Sequence, residues 1–160
     1  APIQGIIVCG KDQKLYRSLD PVLEEATNPI VRFDFVDNVH ELMTAADIII
    51  TKAGGLTVSE ALAKHLPLLV FKPIPGQEEN NAGYIQSIGA GKVANTQQEF
   101  LEIFYELIEN SDLIHQMSNA AALEFPGNSA EKAGQVIINL ASQWRSTRPA
   151  SISPKELNAG

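Results

Sequence analysis

Thr51-Lys52-Ala53-Gly54-Gly55-Leu56-Thr57-Val58-Ser59-Glu60-Ala61 and, one strand later, Pro73-Ile74-Pro75-Gly76-Gln77-Glu78-Glu79-Asn80-Asn81-Ala82 concentrate the residue types best suited to chemistry in this chain. Each segment reads as strand, glycine-bearing or polar turn, helix. Two consecutive units of this kind in a parallel sheet set their turns side by side at one sheet edge, with the helix N-termini exposed. Unpaired backbone N–H groups there attract an anionic ligand such as a nucleotide diphosphate.

The individual side chains refine this expectation. Gly54 and Gly55, following Lys52, let the backbone approach a ligand closely and expose amides at the start of the next helix. A tight connecting turn would use the same glycines. Glu60 lies one turn into that helix, where two rigidly held acceptor oxygens suit both hydroxyls of a ribose; a solvated helix glutamate fits the spacing equally well. In the second segment Pro73 and Pro75 stiffen the loop and Gly76 permits an unusual turn. Gln77, Glu78 and Asn81 then supply a cluster of amide and carboxylate groups, which suits a sugar whose hydroxyls both donate and accept. Polar loops share this composition.

Short β-branched runs alternate with amphipathic stretches, the pattern of parallel strands joined by helices. The sequence predicts an α/β fold with strands at 5–9, 31–35, 47–51, 68–72 and 91–94. Helices are expected at 13–26 with a bend at Pro21, and at 40–45, 57–65 and 80–88. Phe100, Ile103, Phe104, Leu107 and Ile108, then Leu113, Ile114 and Met117, recur at helical spacing, so two helices meet near Asn110-Ser111. A last helix starts at Asn128, with Glu131 completing a capping pattern, and runs through Trp144. One domain is expected over residues 1–145, with a loose tail over 146–160 rich in Ser, Pro and Arg.

Composition bounds the function. The 160 residues are 44% hydrophobic and 19% charged, enough for one real core. A net charge of −7 opposes general affinity for nucleic acid or anionic lipid. Cys9 has no second cysteine to pair with and sits in an apolar run, so a buried thiol is expected. The longest apolar runs are too short to span a bilayer.

Several signals are set aside. Gly89-Ala90-Gly91-Lys92 precedes a strand, lacks an earlier glycine and has Val93 where a phosphate-binding loop needs a hydroxyl. Cys9-Gly10-Lys11-Asp12 is not the Gly-x-Gly-x-x-Gly of dinucleotide binders, although Asp34 ends the second strand where a ribose-binding acid would stand. His40, His65 and His115 lack partners at metal-ligand spacing, and Ser59 is not in a nucleophile elbow.

Taken together, Thr51 to Gly55, Ser59-Glu60-Ala61, Lys72 to Glu78 and Asn81-Ala82 resemble the donor-binding half of family 28 glycosyltransferases. The Pro-Gly-Gln-Glu segment is most similar to bacterial diacylglycerol glucosyltransferases and monogalactosyldiacylglycerol synthases; the peptidoglycan N-acetylglucosaminyl transferase lacks it. The resemblance extends from about Ile6 to Leu140. It implies a Rossmann-like parallel sheet with helices on both faces, the C-terminal half of a GT-B glycosyltransferase. It also implies roles. Gly10 and Lys11 match the turn near the diphosphate, and Val39 matches the place where main-chain groups read uracil. Gly54, Gly55, Leu56 and Thr57 match the phosphate-facing loop and helix start, with Lys52 at its entry, and Glu60 matches the ribose carboxylate. Gln77, Glu78 and Asn81 match the group on the transferred sugar. Ala53 stands where some relatives carry proline, a difference of loop stiffness.

Such enzymes face two nucleotide-fold domains across a cleft, and the other domain binds the lipid acceptor and supplies the general base. The expectation is therefore a domain, excised or naturally split, that binds UDP-hexose as donor substrate and transfers poorly by itself. It needs no metal or further cofactor, and no catalytic residue is assigned within it. The acceptor domain or a partner subunit would bring the lipid, at the cytoplasmic face of a membrane. A UDP-sugar epimerase and a non-catalytic nucleotide-binding module are the alternatives, and glucose and galactose donors fit equally.

Overall fold

The structure, a computed structural model, describes residues 3–147, with side chains through residue 144. In chain order the elements are β1 (Gly5–Val8), α1 (Gln13–Ser18), α2 (Asp20–Glu25), β2 (Ile30–Phe33), α3 (Val39–Ala45), β3 (Ile49–Thr51) and α4 (Gly55–Ala63). They continue with β4 (Leu68–Phe71), α5 (Gln77–Ser87), β5 (Gly91–Ala94), α6 (Gln97–Glu109), α7 (Ser111–Glu124) and α8 (Ser129–Thr147). The chain through Phe125 forms one compact unit, and Pro126 opens a second that holds α8.

Every ladder is parallel. β1 pairs with β2, Gly5 opposite Ile30 and Val8 opposite Phe33. β3, β4 and β5 form a second sheet with β4 in the middle. The parallel sheet expected from the sequence is therefore divided into two sheets, and no ladder joins β1 to β3 among the described residues. Ile6, Val8 and Val31 show the effect: they are exposed, where strands enclosed on both faces would bury them.

β4 has the burial of such an enclosed strand, with Leu68, Leu69 and Val70 all at 0% exposure. Leu68 and Val70 share a cluster with Val58, Ala61 and Leu62 of α4 and Ala82 and Ile85 of α5. Leu69, on the opposite face of the pleat, packs with Leu107 and Met117 and against Phe100, Ile103 and Leu113 of α6 and α7. This sheet thus carries helices on both faces, and each fully buried aliphatic side chain contributes about 1.5–3 kcal/mol. Gly91 belongs to the same packing: an added Cβ would lie 2.2 Å from Ile85 Cγ2 and 2.8 Å from the Leu68 carbonyl oxygen. Lys92 pairs with Glu106 at 3.5 Å. The Gly89-Ala90-Gly91-Lys92 segment is a turn into β5.

Helix boundaries depart from the sequence reading at several points. The expected helix over 13–26 is two, separated at Leu19, because Pro21 removes an N–H and its ring excludes the carbonyl of Arg17 from a continuing helix. Arg32 of β2 fastens both pieces: Nη2 donates to Asp20 Oδ1 at 2.6 Å, Nη1 donates to the Tyr16 carbonyl, and the guanidinium lies 3.8 Å from the Tyr16 ring centroid. The Asp20 hydrogen bond raises the Arg32 pKa, so this group stays charged. α4 ends at Ala63, short of the expected residue 65, where His65 turns left-handed at φ 55 and its ring meets the Phe125 carbonyl at 3.0 Å. α8 begins one residue after Asn128 and continues to Thr147, beyond the expected start of the tail; the remainder of that tail, 148–160, lies outside the described residues. Among the described residues no helix is long and apolar enough to cross a membrane.

Candidate functional site

The two polar segments of the sequence converge at the carboxyl ends of β3 and β4. Because Thr51 pairs with Val70, the chain leaves the two strands within one residue of the same level, Lys52 after one and Lys72 after the other. α4 then begins at Gly55 and α5 at Gln77, two and three residues earlier than expected, so Gly55, Leu56, Gln77 and Glu78 stand in first helical turns. A Cβ placed on Gly55 would lie 3.7 Å from Asn81 Nδ2 and 3.7 Å from Gln77 Nε2. The start of α4 is therefore flanked by two side chains of α5.

The two N-termini differ electrostatically. Gly54 caps α4 without a side-chain hydrogen bond, and the first turn of α4 holds no acidic residue. Its leading amides and its positive dipole end are available to an anion. α5 carries Glu78 and Glu79 in its first turn. Glu78 Oε2 accepts from the Ile74 N–H at 2.9 Å and Glu79 Oε2 from the Gly76 N–H at 3.2 Å, tying the Pro73-to-Gly76 loop to the helix it precedes. Phosphate charge is thus favoured at α4 and disfavoured at α5, whose surface suits neutral hydroxyls. Gly76, at φ 101, makes the turn that only glycine adopts without strain.

The other predicted site residues are distributed over α3, α4 and the turn after β1. Glu60 is exposed in the second turn of α4 and its carboxylate has no hydrogen bond or ion pair among the described residues. Thr57 is half-buried, whereas Leu56 is 76% exposed and stands out beside the first turn. Val39 opens α3 as a helical residue, half-buried against the core that includes Val58 and Ala82. Gly10 and Lys11 lie in the turn that follows β1: Gly10, at φ 61, donates its N–H to the Asp34 carbonyl at 3.2 Å, and Lys11 Nζ lies 5.2 Å from the Phe35 ring centroid. Ser59 Oγ donates to the Gly55 carbonyl at 2.8 Å, an intrahelical bond that occupies this hydroxyl.

Two features lay outside the sequence reading. Asn81 Nδ2 donates to the Ala53 carbonyl at 2.8 Å, a bond across 28 positions for which the sequence offers no signal. Lys72 has φ 48, a left-handed conformation unusual for a side-chain-bearing residue, held by its N–H donating to the Ala94 carbonyl at 2.9 Å. Among the described residues no group of three or more His, Cys, Asp or Glu is arranged to hold a metal ion. The site is open: a Cβ on Gly54 or Gly76 would meet nothing within 4 Å.

That openness makes Gly55→Ala informative. The added methyl has ordinary contact distances within the protein, so stability holds or rises by up to about 1 kcal/mol. If a diphosphate docks on the α4 amides, the methyl stands in its approach, and UDP affinity should then fall about tenfold, the equivalent of one charge-assisted hydrogen bond. Parallel calorimetry and thermal melting check both halves; a Gly55→Ala chain that binds UDP as wild type does would remove the phosphate from this turn.

Comparison with known proteins identifies the fold and the family. MurG from Acinetobacter baumannii has the same fold, with a TM-score of 0.74 at 23% sequence identity over 87% of this chain and 42% of MurG. The glycosyltransferase SnogD from Streptomyces nogalater aligns with a TM-score of 0.55 at 19% identity over 86% of this chain and 42% of its own. The architecture is the Rossmann-like half of a GT-B glycosyltransferase. The chain belongs to the family described as the glycosyltransferase family 28 C-terminal domain, which its residues 2–136 match. The processive diacylglycerol beta-glucosyltransferase of Bacillus subtilis strain 168 is 31% identical over 150 residues, 94% of this chain. The chain spans 39% of that protein's length.

Proposed function

We infer that this domain binds UDP-hexose and presents the hexose for inverting transfer to diacylglycerol or a related glycolipid. The observation that carries the reading is the apposition of an uncapped α4 with the amide-bearing start of α5 across Gly55. The α4 amides, with Lys52, take the diphosphate; Gly10 and Lys11 serve its outer side; Val39 lies on the uracil path; Glu60 accepts the ribose hydroxyls; Gln77, Glu78 and Asn81 border the hexose. As the glycosidic bond to the diphosphate breaks, negative charge grows on the leaving phosphate, and preorganised amides and a helix dipole stabilise it. Acceptor binding and the general base belong to the portion of such enzymes outside this domain, a peripheral assembly at the cytoplasmic membrane face. The name of the Bacillus relative makes UDP-glucose the first donor to test.

Isothermal titration of the chain with UDP, UDP-glucose, UDP-galactose, UDP-N-acetylglucosamine and NAD tests the reading. UDP and at least one UDP-hexose should bind and NAD should not. Affinity should be unchanged by chelator, because the charge partners proposed are protein groups. No heat with UDP at millimolar concentration would sink the assignment, and loss of binding in chelator would overturn its metal-independent form.

A further inference from the structure

Ala53 is fully buried at the exit of β3, and its carbonyl lies ahead of the first helical acceptor, since the Val58 N–H donates to Gly54. A buried carbonyl without a partner is unfavourable. Here the partner is the Asn81 side chain, half-buried in the second turn of α5, whose Nδ2 donates at 2.8 Å. The bond joins the residue immediately before Gly54-Gly55 to the helix that carries Gln77 and Glu78. The same Nδ2 is the atom that a Gly55 Cβ would face at 3.7 Å.

We propose that Asn81 is a positioning residue whose amide fixes the diphosphate-side turn against the hexose-side helix, so that the two halves of the donor site are set relative to each other. This rests on the UDP-hexose reading above, and it changes what Asn81 does within it. A residue that touches only the hexose affects UDP-hexose binding and leaves UDP alone. A residue that sets the turn at Ala53 affects the phosphate amides, and therefore affects UDP and UDP-hexose by the same factor. The bond lies within the folded unit, so its loss loosens the first turn of α4 without unravelling β4.

The test is Asn81→Ala in the chain, read by calorimetry with UDP and with UDP-glucose and by native-state amide hydrogen exchange without ligand. Alanine is compatible with the interior of α5. Both affinities should drop about five- to tenfold in equal proportion, the size of one hydrogen bond. Exchange at Val58, whose N–H makes the first helical bond of α4 to the Gly54 carbonyl, should accelerate while Leu69 and Val70 keep their protection. A drop confined to UDP-glucose, unchanged affinity for both ligands, or equal acceleration at Leu69 and Val70 would each overturn the proposal. If wild-type chain binds no UDP, the donor reading fails separately, and unchanged exchange at Val58 still refutes the bond's positioning effect.

Discussion

Glu60→Ala should weaken UDP binding about 10- to 150-fold, the equivalent of about 1.5–3 kcal/mol for hydrogen bonds to a charged acceptor. Glu60 is exposed on α4, and its carboxylate engages no other described residue. Nothing in the packing requires it, and alanine is the stronger helix former, so stability should stay within about 0.5 kcal/mol of wild type. The separation is what makes the measurement decisive: a large affinity loss on an unperturbed fold is the signature of a ligand contact. Glu60→Gln, which keeps one good acceptor, should fall between the two. A dissociation constant for UDP that does not move on Glu60→Ala would end the ribose role.

Leu69→Ala is the complementary case, a large loss of stability from a residue remote from any ligand. Leu69 is fully buried on the face of β4 turned toward α6 and α7, among Leu107, Met117, Phe100, Ile103 and Leu113. Truncation removes transfer free energy and leaves a cavity that a sheet clamped between helices cannot collapse, a loss of about 2–5 kcal/mol. Urea denaturation measures it. A change under about 1 kcal/mol would mean that this face is not packed as described. The chain that stays folded should keep its UDP affinity, since Leu69 points away from α4 and α5.

The strands were legible in the sequence because apolar β-branched runs bounded by turn residues have few other uses, and each begins within two residues of its expected start. Side-by-side placement of the two motifs followed from the order strand, turn, helix, strand, turn, helix, since successive parallel strands are commonly neighbours. Helix starts were less legible. Gln77 enters its helix early because Glu78 and Glu79 accept N–H groups of the preceding loop, a local arrangement that decides the boundary more than intrinsic preference does, whereas Gly55 enters early with no side-chain cap. The break at Leu19 was visible in Pro21 but misplaced, and nothing local announced that β1 would share no ladder with β3. Glu60 was marked by family resemblance and could not be separated by spacing from an ordinary surface glutamate. The Asn81–Ala53 bond and the left-handed Lys72 are tertiary facts: the first links residues 28 apart and the second belongs to a residue type that rarely adopts that conformation.

The bare first turn of α4 has one more consequence. Most helices finish their own N-terminus with a serine, threonine, aspartate or asparagine; this one is finished by glycine and left unsatisfied by protein side chains. A bound pyrophosphate would act as the missing cap, so occupancy and folding become linked equilibria, and the domain would be firmest when charged with donor.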